Sequence, residues 1–210
     1  MLGSDTLFPI EPLIADLTPA QPLKIVHVIT RLIIGGAQEN TLLTVEGLHH
    51  AYGDDVTLIT GPAEGPEGDL FGRAETLGLK VELMPSLVRA VRPATDWKAY
   101  RELRRSIRRL RPEVVHTHSS KAGIVARAAA WDERVPAVVH TIHGLPFGPS
   151  ESPLKNRAYV TAERWAAKRC HAIVSVCDAM TEQALAAGVG RPEMYRTVYS
   201  GMDVDAFLNP

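Results

Sequence analysis

Beginning at Lys24, short runs of apolar, β-branched residues alternate with longer stretches whose apolar positions return every three or four residues. Runs of the first kind fit strands and stretches of the second fit amphipathic helices. Strands are predicted over 24–30 (KIVHVIT), 55–60, 80–84, 113–118 (EVVHTH), 136–142 (PAVVHTI), 171–176 and 194–199. Helices are predicted over 37–50, 69–77, 96–111, 120–131, 154–169 and 178–187. Several strands are apolar nearly throughout, as strands covered on both faces must be. The alternation marks an α/β fold with an open, parallel, doubly wound, Rossmann-like sheet. Residues 1–22, dotted with Pro and Asp and lacking any period, read as an N-terminal arm ahead of a domain over 23–210. Ligands of such sheets lie beyond the carboxyl ends of the strands, so chemistry is to be sought in the residues just after each one.

Charge and composition narrow the classes. A formal net charge of -1 does not fit a nucleic-acid binder, which is usually basic. Apolar residues make up 45% and charged residues 22%, an ordinary globular balance that can build a core. The first residues carry no basic n-region followed by an apolar run, so no secretory signal is expected, and no apolar stretch is long enough to span a bilayer. Cys170 and Cys177 flank one predicted strand, too far apart along it to bond. Two reduced thiols fit a cytoplasmic protein.

After the first strand the chain reads Val28-Ile-Thr-Arg-Leu-Ile-Ile-Gly35-Gly36-Ala37-Gln38-Glu39-Asn40. Paired glycines between a strand and a helix let backbone N–H groups approach a ligand, and the helix start favours an anion. The plainer reading is a tight turn. G-x-G-x-x-G is absent, and the second strand closes in Thr60-Gly61 without an acid, so a nicotinamide cofactor is not expected.

Four histidines cluster at two strand ends: His116 and His118 on the fourth, His140 and His143 on the fifth. An H-x-H pair with a third His can hold zinc, but neither motif carries an Asp, Glu or Cys to complete a hydrolytic site, and no metal is expected. His116 and His140 read as residues satisfied by neighbouring loop backbone, and His118 and His143, last on their strands, as ligand contacts. Ser119, Ser120 and Lys121 at the next helix start suit a phosphate or a sugar hydroxyl, or else a Ser cap beside a solvated lysine. Thr141, His143 and Gly144 lead into a Gly/Pro loop over 144–153 that can close over a substrate.

Together, V-I-T-R-L-x-x-G-G-A-Q-E-N (28–40), R-P-E-V-V-H-T-H-S-S-K-A-G (111–123), V-V-H-T-I-H-G-L-P-F (138–147) and Y-S-G-M-D-V-D-A-F (199–207) resemble the N-terminal domain of the family-4 retaining glycosyltransferases of the GT-B fold. The likeness runs over 24–210. It implies about seven strands in the order 3-2-1-4-5-6-7. It implies transfer of a sugar from a nucleotide-diphosphate sugar to an acceptor hydroxyl with retention, without metal or other cofactor, in surface glycan, polysaccharide or glycolipid synthesis. Gly35 and Gly36 would lie against the donor diphosphate and the acceptor, His143 against the donor sugar at the reaction centre, and Ser119, Ser120 and Lys121 on the acceptor side. Val176-Cys177-Asp178 stands where the family usually reads V-S-E, and Ser200-Gly201 where it reads N-G. The resemblance also implies that the nucleotide-binding domain with its paired glutamates lies outside these 210 residues, and that the chain alone does not turn over. The rival class is a non-enzymatic Rossmann-like module for a phosphorylated ligand or partner, which sequence continuing into a second α/β domain would exclude.

Residues 89–111 carry nine Lys/Arg against Asp96 and Glu102. Tyr100, Leu103, Ile107 and Leu110 share one helical face, and Arg101, Arg105, Arg108 and Arg109 the other. Such a helix either packs with a solvated charged face or lies on anionic lipid. Lipid-linked acceptors, implied by the resemblance, favour peripheral contact with the inner face of a membrane through 96–111.

Overall fold

A computed structural model describes residues 21–202. The predicted arm, up to residue 20, and the end of the 199–207 motif lie outside the described residues. Seven parallel strands, β1 (Lys24–Arg31), β2 (Asp55–Gly61), β3 (Lys80–Leu83), β4 (Val114–His118), β5 (Ala137–Ile142), β6 (Ala172–Ser175) and β7 (Tyr195–Thr197), form one sheet in the order β3-β2-β1-β4-β5-β6-β7. Between them run α1 (Gly36–Tyr52), α2 (Phe71–Thr76), α3 (Pro93–Leu110), α4 (Ser120–Asp132), α5 (Pro153–Ala167) and α6 (Asp178–Ala186). Both the doubly wound fold and the strand order match the sequence expectation. No helix among the described residues is long and apolar enough to cross a membrane.

Side-chain alternation splits the core in two. Ile25 and Ile29 of β1, with Val56 and Leu58 of β2, pack under Leu42 and Val45 of α1 and Ala74 of α2. Val26 and Val28, with Val115 and Val138, pack on the other face under α3, α4, α5 and α6. The central strands are therefore buried on both sides, which is why β1 reads as a continuous apolar run.

Local signals set the helix limits. Helix α1 ends where Gly53 takes a left-handed φ of 73° and its N–H reaches the Leu48 carbonyl. Helix α3 begins at Pro93, three residues before its predicted start, because a proline in the first turn loses no helical hydrogen bond. Its Leu103 and Ile107 are buried, each worth about 1.5–3 kcal/mol of burial. Helix α4 is Ala-rich and lies close on the sheet, with Ala122, Ala126 and Ala129 fully buried.

Candidate functional site

The segments that follow β1, β5, β6 and β7 meet around a cleft of about 230 Å³. Gly36, Ala37, Glu39, Asn40 and Leu43 of α1 form one wall, and His143, Val176 and Ser200–Met202 the other. Chain segments more than a hundred residues apart thus come together, because β1, β4, β5 and β6 are successive in the sheet. A larger cleft of about 770 Å³, lined by Trp131, Arg164, Lys168, His171 and Arg191, opens elsewhere, where the turns before β6 and β7 lie. Parallel sheets present ligand-facing groups at the opposite ends of their strands, so the smaller cleft is the candidate.

The Gly35-Gly36 pair is not a turn that needs glycine. Gly35 has an extended φ of 173° and precedes the helix without a side-chain cap. A Cβ added at Gly36 would meet nothing within 4 Å. Neither backbone conformation nor internal packing accounts for Gly36, which opens a helix 17 residues long that has no side-chain cap. Uncapped N–H groups at a helix start attract anionic oxygen.

The histidines fall into two groups by strand face. His140 is 3% exposed, and its Nδ1 bonds the Thr117 hydroxyl at 2.9 Å and carbonyl at 3.1 Å. It belongs to the core beneath α4, as expected, although its partner is the neighbouring strand rather than a loop. On the opposite face His116 Nε2 bonds the Thr141 hydroxyl at 2.7 Å. His118, expected at the ligand, is 1% exposed and has both ring nitrogens engaged. It reaches the cleft only through His143.

His118 Nε2 lies 2.9 Å from Nδ1 of His27, and His118 Nδ1 lies 3.0 Å from Nε2 of His143. His27 was hidden inside the apolar run of β1. The register His27↔His116 places it in the cluster, and register cannot be read from one strand alone. The only signal was a histidine at the centre of KIVHVIT. Nitrogens of His27, His116 and His118 lie within 4.8 Å of one another, the donor set of a three-histidine metal site. Hydrogen bonds to His27 and His143 already occupy both nitrogens of His118, so this set fits an imidazole network better than an ion. Burial holds His27, His118 and His140 well below the usual histidine pKa, and lowers His116 and His143 to about 4. The cluster is neutral at physiological pH.

The start of α4 differs from both sequence readings. Ser119 makes no side-chain cap; Thr30 of β1 does the capping, its Oγ1 accepting the Ala122 N–H at 3.1 Å and lying 2.8 Å from Ser119 Oγ. Ser119 sits at φ 60° and ψ 155°, a conformation costing on the order of 1–3 kcal/mol outside glycine. Lys121 is neither solvated nor open to a ligand: its ammonium pairs with Asp96 of α3 at 2.6 Å and donates to the Ala90 carbonyl, with 13% of the side chain exposed. Ser119, Ser120, Thr141 and Gly144 line a shallow recess beside the main cleft, and His143 borders both. Glu39 and Asn40, unremarked within the glycine motif, are the further cleft residues, one helical turn on from Gly36.

Residues 35–201 match the family described as a glycosyl transferase 4-like domain. Over 185 residues the chain is 28% identical to the UDP-Gal:alpha-D-GlcNAc-diphosphoundecaprenol alpha-1,3-galactosyltransferase of Escherichia coli, covering 88% of the chain and 46% of that relative. Among solved structures it resembles a glycosyltransferase from Rickettsia africae, with a TM-score of 0.63, 16% identity, and coverage of 90% and 45% of the two chains. It also resembles the UDP-GlcNAc 2-epimerase of Neisseria meningitidis, with a TM-score of 0.60, 13% identity, and coverage of 83% and 46%. The chain thus spans about half the length of each. The structural likenesses establish the fold; the family match and the sequence relative bear on the chemistry.

Proposed function

Because the chain belongs to the glycosyl transferase 4-like family, we propose that it forms the acceptor-side half of a retaining glycosyltransferase. The reaction moves a hexose from a nucleotide-diphosphate sugar to a hydroxyl of a glycan or lipid-linked acceptor. The observation that carries this reading is the cleft that sets the uncapped start of α1, with open space over Gly36, opposite His143. A diphosphate leaving group needs N–H donors fixed in advance, and the α1 start supplies them without a metal ion. The neutral imidazole of His143 suits a hydroxyl of the donor sugar beside the reacting carbon. The uncapped N–H groups at Gly36 suit the diphosphate, and Glu39 and His143 suit hydroxyls of the sugar or the acceptor.

The relative's name specifies a UDP-sugar donor and a diphosphoundecaprenol-linked acceptor, which supports a lipid-linked acceptor here. Peripheral contact with the cytoplasmic face of a membrane through α3 is consistent with such an acceptor. In the complete enzyme, His143→Ala should lower kcat by roughly 10²-fold, the loss expected for a transition-state hydrogen bond. Its thermal midpoint should fall only modestly, by the equivalent of about 1–3 kcal/mol at most, because the buried His118 nitrogen loses the partner that His143 supplies. Product anomers read by NMR, with a donor of known configuration, test retention. Near wild-type turnover by His143→Ala would remove His143 from the site.

A further inference from the structure

We infer that His118 and His27 are positioning residues that fix His143 as its Nδ1–H tautomer, so that a neutral N–H donor faces the cleft. The inference rests on the reading of the cleft given above. Its basis is the row of three rings joined by two hydrogen bonds, His27 Nδ1 to His118 Nε2 and His118 Nδ1 to His143 Nε2. Neutral imidazole carries one proton, so the bond made by one nitrogen decides the state of the other. The row can run in only two directions.

In one, His143 Nε2–H donates inward, His118 passes the pattern on, and His27 must carry its proton on Nε2. That atom is buried and has no hydrogen-bond partner, so this direction strands an N–H donor in the core. In the other, His27 donates from Nδ1, His118 donates from its own Nδ1, and His143 Nε2 accepts. Only a lone pair is then left unpartnered, on His27, and the mobile proton of His143 sits on Nδ1. Nδ1 of His143 bonds no protein group among the described residues, and the ring borders the cleft. The dead end at His27 therefore selects the direction that arms His143 as a donor. Burial keeps all three rings uncharged, so the row is not scrambled by an extra proton.

The test is the tautomer itself, read in the 210-residue chain by long-range proton–nitrogen correlation on ¹⁵N-histidine at neutral pH. The proton of His143 is expected on Nδ1, and those of His118 and His27 likewise. A proton on Nε2 of His143 overturns the inference, as does stoichiometric Zn²⁺ uptake that breaks the His27–His118 pairing. Two variants separate positioning from bulk. The amide nitrogen of Asn stands where Nδ1 of His stands and that of Gln where Nε2 stands. His118→Asn should keep the donor to His143, its Nδ1 proton, and turnover of the complete enzyme. His118→Gln should release the tautomer and lower kcat about tenfold or more, with the donor KM little changed. Equal losses from both variants at equal thermal midpoints would overturn it. Because the tautomer is read without donor present, its reversal sinks this inference alone, whereas an unimpaired His143→Ala enzyme sinks the reading of the cleft.

Discussion

At the scale of single residues, Gly123 shows how the α4 surface is fitted to the sheet. A Cβ there would lie 2.5 Å from Cε1 and 3.0 Å from Nδ1 of His140. The His140 ring cannot swing aside, because Thr117 holds it through two contacts. Gly123→Ala should therefore cost about 1–3 kcal/mol through overpacking, despite its better helix propensity. Urea unfolding of the two proteins measures it, and an unchanged or raised midpoint would mean that α4 can lift off the strand. The motif around Gly123 was legible in the sequence, but this role was not. Spacing shows that a glycine follows Lys121 by two; it does not show that β5 turns a histidine toward it. The Lys121–Asp96 pair is hidden in the sequence for the same reason, since Asp96 lies 25 residues upstream on another helix.

Among the elements, α3 carries the charge pattern visible in the sequence, but its arginines are not equivalent. Arg108 makes a bidentate pair with Glu133 at 2.7 Å through each of two nitrogens, and Arg104 reaches the same carboxylate. Arg109 pairs with Glu82 of β3 at 2.5 Å. Arg101 and Arg105 are exposed and make no ion pair among the described residues. Trp97, one and two helical turns before them, is 61% exposed. The basic face free of ion pairs is therefore narrower than the periodicity implied. Arg101→Gln with Arg105→Gln should abolish binding to vesicles rich in anionic lipid without shifting the thermal midpoint. Arg108→Gln with Arg109→Gln should leave most vesicle binding and lower stability by about 1 kcal/mol or less, as exposed pairs do. Wild-type protein that ignores such vesicles would leave α3 as a packed helix with a solvated face. Helical period reveals which residues share a face, but not which of them find a partner across a loop.

For the whole molecule, five histidines with lowered pKa, three buried and two part-buried, couple folding to pH. Once unfolded, each titrates near 6.5, whereas in the folded protein burial lowers His116 and His143 to about 4 and holds the other three well below the usual histidine value. Between those values the unfolded chain binds more protons, so stability is complete above about pH 6.5 and falls as pH drops toward 4. One fully linked histidine adds a slope of at most about 1.4 kcal/mol per pH unit inside that window, and the hydrogen-bonded rings take up their protons as a set. The carboxylates of Asp55 and Glu133, held low by Lys80 and by Arg108, lose their share only below roughly pH 4, outside it. Urea unfolding at pH 7, 6 and 5 should show midpoints falling steadily, and His116→Asn should flatten the fall by about one proton. A midpoint constant from pH 7 to 5 would contradict the neutral cluster. The parallel sheet and its order were legible because alternation and strand-end motifs survive in a single sequence. The cluster was half legible, since His27 joins it only through the β1–β4 register.

The cleft wall has a consequence for ionic strength. Glu39 is the sole ionised side chain lining it among the described residues; no lysine or arginine does. Whatever holds a phosphate against Gly36 on this side is therefore dipolar, made of backbone N–H groups and a neutral ring. Dipoles of this kind act over a few ångströms and gather no long-range ion atmosphere, unlike the free arginines of α3, whose reach ends within about 8–10 Å in physiological salt. The two surfaces of one domain should thus answer differently to added electrolyte, which screens the arginines of α3 while leaving any anion held at the α1 start almost untouched.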